Sequence, residues 1–146
     1  MIVSGDLNHA RRIAEASRAT FNPACDICIS RCVGGELYGG VIYEGYTGAG
    51  GSIAMHVAGF NDNWMNRDFL WVIFHYPFVQ LDCRKVFGQV PEENQNMLEF
   101  ALKIGFKIVV KIDDVFPDGA CILTALAREN CRWLKLKPST LVLNGS

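Results

Sequence analysis

Cys25, Cys28 and Cys32 stand at Cys-x2-Cys-x3-Cys spacing, an arrangement that can do chemistry. Thiolates so spaced hold zinc when another Cys or His closes a tetrahedron around the ion. A helix would put all three on one face. The segment 26–33, however, alternates and carries β-branched residues, which reads as a strand. On a strand Cys25 and Cys28 point to opposite faces, while Cys28 and Cys32 share one. The three histidines, His9, His56 and His75, are isolated from one another. No metal site is expected. The remaining cysteines, Cys83, Cys121 and Cys131, bring the count to six. With no secretory segment and with a core available, reduced thiols used as small apolar residues are the expectation.

The elements that must position any site follow from the apolar pattern. Asp6 reads as the N-cap of a helix reaching about Thr20, with Leu7, Ala10, Ala14 and Ser17 on one face. Phe21-Asn22-Pro23 ends it. Strands are expected over 26–33, 37–46 and 52–60, separated by Gly34-Gly35 and by the glycine-rich run 47–51. Their short turns predict an antiparallel meander. The segment 64–81 is apolar almost all round and predicts a buried helix, kinked or shortened at Pro77. Within it Trp64, Phe69, Trp71, Phe74 and Phe78 are expected to pack in the core. A strand over 84–90 precedes a helix with the apolar stripe Met97, Leu98, Ala101, Leu102 and Ile104, which Gly105 terminates. Segments 106–112 and 120–127 flank a turn at Phe116-Pro117-Asp118-Gly119 and predict a hairpin. Strands in series followed by β-helix-β-helix-β predict one α/β domain with a mixed sheet.

Composition narrows the function classes. A chain of 146 residues suits one domain, expected over 1–137, with a polar tail at 138–146. Fourteen basic and fifteen acidic residues give a net charge of −1, so no nucleic acid or anionic membrane partner is indicated. Half the residues are hydrophobic, but no run approaches the ~20 needed to cross a bilayer. The N-terminus lacks a basic region followed by an apolar block, and a cytoplasmic protein is the expectation.

The second half of the chain resembles the GNAT N-acyltransferases, most closely the short versions of tailed phages and prophages. The resemblance is carried by 84–90 as the family's fifth strand and by the run Val90-Pro91-Glu92-Glu93-Asn94 leading to Gly105-Phe106. Phe21-Asn22-Pro23, the strand at 39–43 and residues 52–59 match more loosely, and 128–134 looks like the end of the phage-type proteins. The resemblance implies a sheet with an antiparallel N-terminal meander, a splayed parallel central pair and a C-terminal hairpin, with helices on both faces. It implies acetyl-CoA as cosubstrate in the V-shaped opening. Met55, His56, Val57 and Ala58 would pair with its pantetheine arm, and Arg67 and Asn94 would add contacts. The phosphates would meet the helix start after the fourth strand, where free N–H groups favour an anion.

Two departures are visible. The stretch 61–67, Asn-Asp-Asn-Trp-Met-Asn-Arg, has no glycine where the family's phosphate loop has them. Ala101 stands where many members place the tyrosine that protonates the thiolate. Acyl transfer to an amine needs a base, and Glu44 and His56 are the candidates, each on a strand bordering the implied cleft. A solvated sheet edge for Glu44 and a satisfied buried histidine for His56 are the plain alternatives. Tyr76, Tyr43 and Tyr46 are the candidates for a replacement acid. Asn94 reads equally as a helix N-cap. The expected function is acetyl transfer from acetyl-CoA to a primary amine. The alternative is an inactive GNAT-like phage protein acting in particle assembly or interaction. A homodimer through an exposed sheet edge fits either.

Overall fold

The computed structural model describes residues 1–136; the tail expected at 138–146 lies outside them. Seven strands form one sheet: β1 (Ile2–Ser4), β2 (Ile27–Val33), β3 (Glu36–Glu44), β4 (Ser52–Gly59), β5 (Lys85–Pro91), β6 (Lys107–Phe116) and β7 (Gly119–Ala127). Their order is β1-β2-β3-β4-β5-β7-β6. The pair β4–β5 is parallel and every other pair antiparallel. Helices α1 (Leu7–Ser17), α2 (Arg67–His75) and α3 (Gln95–Lys103) cover the two faces. The mixed sheet, meander, parallel pair and hairpin are as expected. β1 was not, because three residues at a chain start carry no readable alternation.

Local chemistry explains the helix limits. The Asp6 carboxylate accepts the His9 backbone N–H at 3.0 Å and opens α1. Arg18, at φ 62°, closes it in the left-handed conformation, short of Thr20. Ala10, Ile13, Ala14 and Ser17 are the buried face, whereas Leu7 is 56 % exposed. The apolar segment 64–81 splits in two. Asn66 caps α2 through the Phe69 N–H at 2.8 Å, and a π-helical turn (Tyr76–Gln80) follows His75. Pro77 has no N–H to donate to the carbonyl four residues back. That carbonyl, of Ile73, instead accepts the Tyr43 hydroxyl at 2.6 Å. Asn94 caps α3 through the Met97 N–H, and Gly105, at φ 114°, follows its last turn.

The two faces hold two cores. Ala10, Ile13 and Ala14 of α1 pack on Cys28, Ile42 and Ala58. The larger core on the other face joins Val41, Tyr43, Ile53 and Met55 to Phe69, Ile73, Phe74 and Phe78, and includes Ala101, Phe106 and Leu126. Of the five aromatic residues expected in the core, Phe69, Phe74 and Phe78 are fully buried. Trp64 is half-buried, and Trp71 is corrected: it stacks on His75, 4.1 Å between ring centres, on the outer side of α2.

Candidate active site

The register of β4 and β5 runs from Ser52/Lys85 to Met55/Gly88 and stops there, although β4 continues to Gly59 and β5 to Pro91. The strands splay beyond that point. Which backbone groups face the gap follows from ladder parity. The Phe60 N–H donates to Tyr38 at 2.8 Å, so Phe60, Ala58, His56 and Ala54 exchange hydrogen bonds with β3. On the opposite parity, Gly51 accepts from Arg84 at 2.8 Å. Met55, Val57 and Gly59 therefore turn their N–H and C=O groups toward β5. Of the four positions expected to offer backbone to a pantetheine arm, Met55 and Val57 face β5, Met55 within the paired stretch and Val57 beyond it. His56 and Ala58 have theirs engaged with β3, and Gly59, not anticipated, joins the pair.

A cavity of about 40 Å³ lies at the splay. Met55 and Val57 line it from β4, Gly88 to Pro91 from β5, and Asn94, Met97, Phe100 and Ala101 from α3. Asn94 caps α3, as one reading of it expected, and it also lines the cavity. Ser17 reaches the same cavity from α1, which packs on the opposite face, so the gap passes through the sheet. Sequence reasoning missed Ser17, Thr124, Phe100 and Phe106 as wall residues. The two hydroxyls are committed: Ser17 donates to the Ile13 carbonyl at 2.7 Å and Thr124 to that of Gly88 at 2.9 Å.

His56 lies between the two β4 residues whose side chains line the cavity, and by alternation it points to the α1 face with Ala54 and Ala58. Its Nε2 is 2.5 Å from Glu44 Oε1. His56 is 5 % exposed and the Glu44 side chain 32 %, so the carboxylate is the member that meets solvent. Tyr76 is not brought to them. It packs edge-on to Tyr43 at 5.0 Å, in the core of the other face, and burial pushes its hydroxyl pKa up. Tyr43 and Tyr46 donate their hydroxyls to backbone carbonyls of Ile73 and Leu81. None of the three tyrosines lines the cavity among the described residues.

The chain has the fold of the GNAT acetyltransferases. A chimera of the Vibrio cholerae spermidine N-acetyltransferase SpeG and hSSAT superposes with a TM-score of 0.70 at 11 % identity, covering 88 % of this chain and 96 % of that one. The V. cholerae spermidine N-acetyltransferase in complex with CoA and spermine gives 0.63 at 12 % identity, with coverages of 88 % and 96 %. No family model and no curated protein matches the sequence.

In this GNAT-fold chain the loop after β4 is built differently from a glycine turn. Arg31 donates to the carbonyls of Asn63 and Trp64 at 2.7 and 3.2 Å and holds the loop down. The Trp64 ring lies on the bare backbones of Gly39 and Gly59: a Cβ on either would come within 2.6 Å of it. It also packs on Phe100 of α3, 5.2 Å away. Arg67, the first residue of α2, is exposed beside this loop. Among the described residues, no helix is long and apolar enough to cross a membrane.

Proposed function

We propose that this chain is an N-acetyltransferase carrying the acetyl group of acetyl-CoA to a primary amine. The observation that supports it is the cavity through the sheet at the β4–β5 splay, with the Glu44–His56 pair beside it on the α1 face. The two reactants would enter from opposite faces. On the α2–α3 side, the unengaged backbone groups of Val57 and Gly59 would pair with amides of the pantetheine arm. Arg67 and the start of α2 would meet the phosphates, and Asn94 would border the arm at the other wall.

On the α1 side, the Glu44 carboxylate holds the acceptor ammonium and takes a proton from it. The freed lone pair then attacks the thioester carbonyl, and the carbon–sulfur bond breaks. His56, buried and hydrogen-bonded to Glu44, orients the carboxylate. Acetyl-CoA brings a leaving thiol whose pKa resembles that of free cysteine, about 8.5, so it can depart as thiolate and take up, through water, the second proton, which the attacking nitrogen loses as the amide forms. Ala101 in place of a tyrosine is compatible with that chemistry. Tyr76, against Tyr43, is left a packing role.

Calorimetry of acetyl-CoA binding, followed by mass detection of acetylated products from an amine panel that includes spermine, tests the reading. Saturable binding plus a +acetyl product supports it. Binding without product across the panel, or no binding, refutes it. A second reading, a non-catalytic phage assembly factor, draws on one observation: Trp64 lies across the approach to Gly59. It predicts no binding.

A further inference from the structure

Glu44 belongs to a row of side chains that crosses the α1 face of the sheet. Strand register sets Glu44 beside Ala54, Ala54 beside Phe87, Phe87 beside Ala125, and Ala125 beside Lys107. Residues paired in register share a face. Gly88, next to Phe87, faces the other way: a Cβ there would meet Thr124 and Phe106 of the larger core. α1 packs on β2, β3 and β4, and burial shows what it leaves open. Val86, Thr124 and Leu126 are buried, whereas Phe87, Leu123 and Ala125 on the α1 face are half-buried. Among the described residues, Phe87 and Leu123 pack on neither core. Gln89, two residues beyond Phe87 on the same face, lines the cavity, so this apolar shelf runs into the gap.

We propose that Phe87, with Leu123 and Ala125, selects the acceptor, and that the acceptor is a primary amine bearing an aromatic group and no second positive charge. The inference rests on the acetyl-transfer reading above and names its substrate class. Glu44 and Phe87 stand two strands apart, about 10 Å between backbones at about 4.8 Å per strand. Ala54 fills little of that space. An ammonium held by Glu44 and a ring two carbons from it fit there, the ring above Ala54 and against Phe87. Aromatic pairs at such separations attract beyond the area they bury.

The charges around the shelf disfavour a polyamine. Asp26, the next carboxylate beyond Glu44 on the β2 side, has both oxygens engaged, with the Asn22 N–H at 2.8 Å and the Cys25 thiol at 3.5 Å. Lys85, two residues before Phe87 on the same face, and Lys107, at the far end of the row, form no ion pair among the described residues. A second ammonium carried across the shelf would run toward these like charges.

Three acceptors test this with acetyl-CoA and the full chain: phenethylamine, propylamine and putrescine. Phenethylamine should exceed each of the others in kcat/KM by about tenfold or more, the effect of burying a ring on an apolar surface. Phe87→Ala should shrink its advantage over propylamine about tenfold, and Leu123→Ala should shrink it less, with circular dichroism verifying that both variants are folded. Propylamine or putrescine turned over as well as phenethylamine would overturn the inference and leave acetyl transfer standing. Equal losses for all three acceptors in Phe87→Ala would do the same. Acetylation of none of them, nor of any amine in the panel above, would overturn the acetyl-transfer reading and this inference with it.

Discussion

His56 Nε2 and Glu44 Oε1 lie 2.5 Å apart, although the residues come from different strands and are diagonal, not directly opposite: His56 faces Ile42, and Glu44 faces Ala54. The buried imidazole occupies one carboxylate oxygen and fixes its direction. The rest of the carboxylate stays open to a ligand on the α1 face.

This arrangement separates chemistry from cofactor binding. Glu44→Gln is expected to lower kcat/KM for acetyl transfer by about 10²–10⁴-fold, the range for removing a general base. The acetyl-CoA Kd should stay put, because the unengaged backbone of β4 faces the other way. His56→Gln, changing a positioning residue, should alter the shape of the pH–rate profile. Steady-state kinetics beside calorimetry reads both. Parallel losses of rate and cofactor affinity in Glu44→Gln would place the carboxylate on the wrong side of the sheet.

Trp64 should report on the cleft. Its ring lies on the face of Gly59, so a ligand lying along the free edge of Val57 and Gly59 comes beside it and should change its fluorescence. Trp64→Ala is expected to tighten acetyl-CoA binding while costing about 2–3 kcal/mol of stability, less than a fully buried tryptophan. Gly39→Ala should cost about 1–3 kcal/mol by overpacking. Its Cβ would fall 2.6 Å from the Trp64 ring and 2.8 Å from the Ala58 carbonyl oxygen. Urea denaturation of each variant and fluorescence titration check these values. Emission that ignores saturating cofactor would leave Trp64 a purely structural cover.

Five of the six thiols should fall into two classes. Burial pushes Cys28 up to about 11 and raises Cys83, Cys121 and Cys131 as well. Cys25 is exposed, its pKa raised by partial desolvation and then by the Asp26 carboxylate. A disulfide reagent on the folded protein should modify Cys25 first, faster as pH rises, and Cys25→Ser should remove that phase. The four buried thiols should react only on unfolding. Rapid modification of Cys28 in the native protein would contradict its place beneath α1.

Arg18 ties three distant segments together, bonding Glu93 at 2.7 Å and Asp118 at 2.5 Å. The hydrogen bond from Arg18, aided by its charge, holds the Asp118 carboxyl below its ordinary value. A carboxyl with a depressed folded pKa adds stability above its unfolded pKa and loses it as pH falls through the folded one. Melting temperature should therefore drop on acidification below about pH 4, the ordinary Asp range, and high salt should shrink that part of the drop. In Asp118→Asn the corresponding portion should vanish. An unchanged acid limb in that variant would assign the loss to other carboxylates.

Much of the fold is legible locally. Asp6 and Asn94 announce helix starts with side-chain caps, Gly105 announces a helix end, and alternation marks β2 to β5 and the closing hairpin. Cys28 and Cys32 share the face expected of them: Cys28 lies against α1, and Cys32 Sγ is 3.5 Å from His9 of the same helix. The split of 64–81 at Pro77 is foreshadowed by proline's missing N–H. The Tyr43 hydroxyl that takes its place comes from 30 residues away in sequence and leaves no local trace.

The site is of that second kind. Glu44 and His56 could be singled out as titratable residues on strands, but their bond depends on the β3–β4 register. Where β4 and β5 part company decides that Val57 and Gly59, not His56 and Ala58, offer free backbone. Packing alone sets Trp64 on Gly39 and Gly59, and the Arg18–Asp118 contact spans 100 positions. By itself, then, the sequence determined the elements, their caps and the two-residue alternation of faces, because hydrogen-bonding propensity and hydrophobic period act over a few residues. Only the tertiary structure decided which faces meet, where the sheet opens and which oxygen and nitrogen pair, because strand register is a long-range choice and a one-residue slip would reverse every side chain.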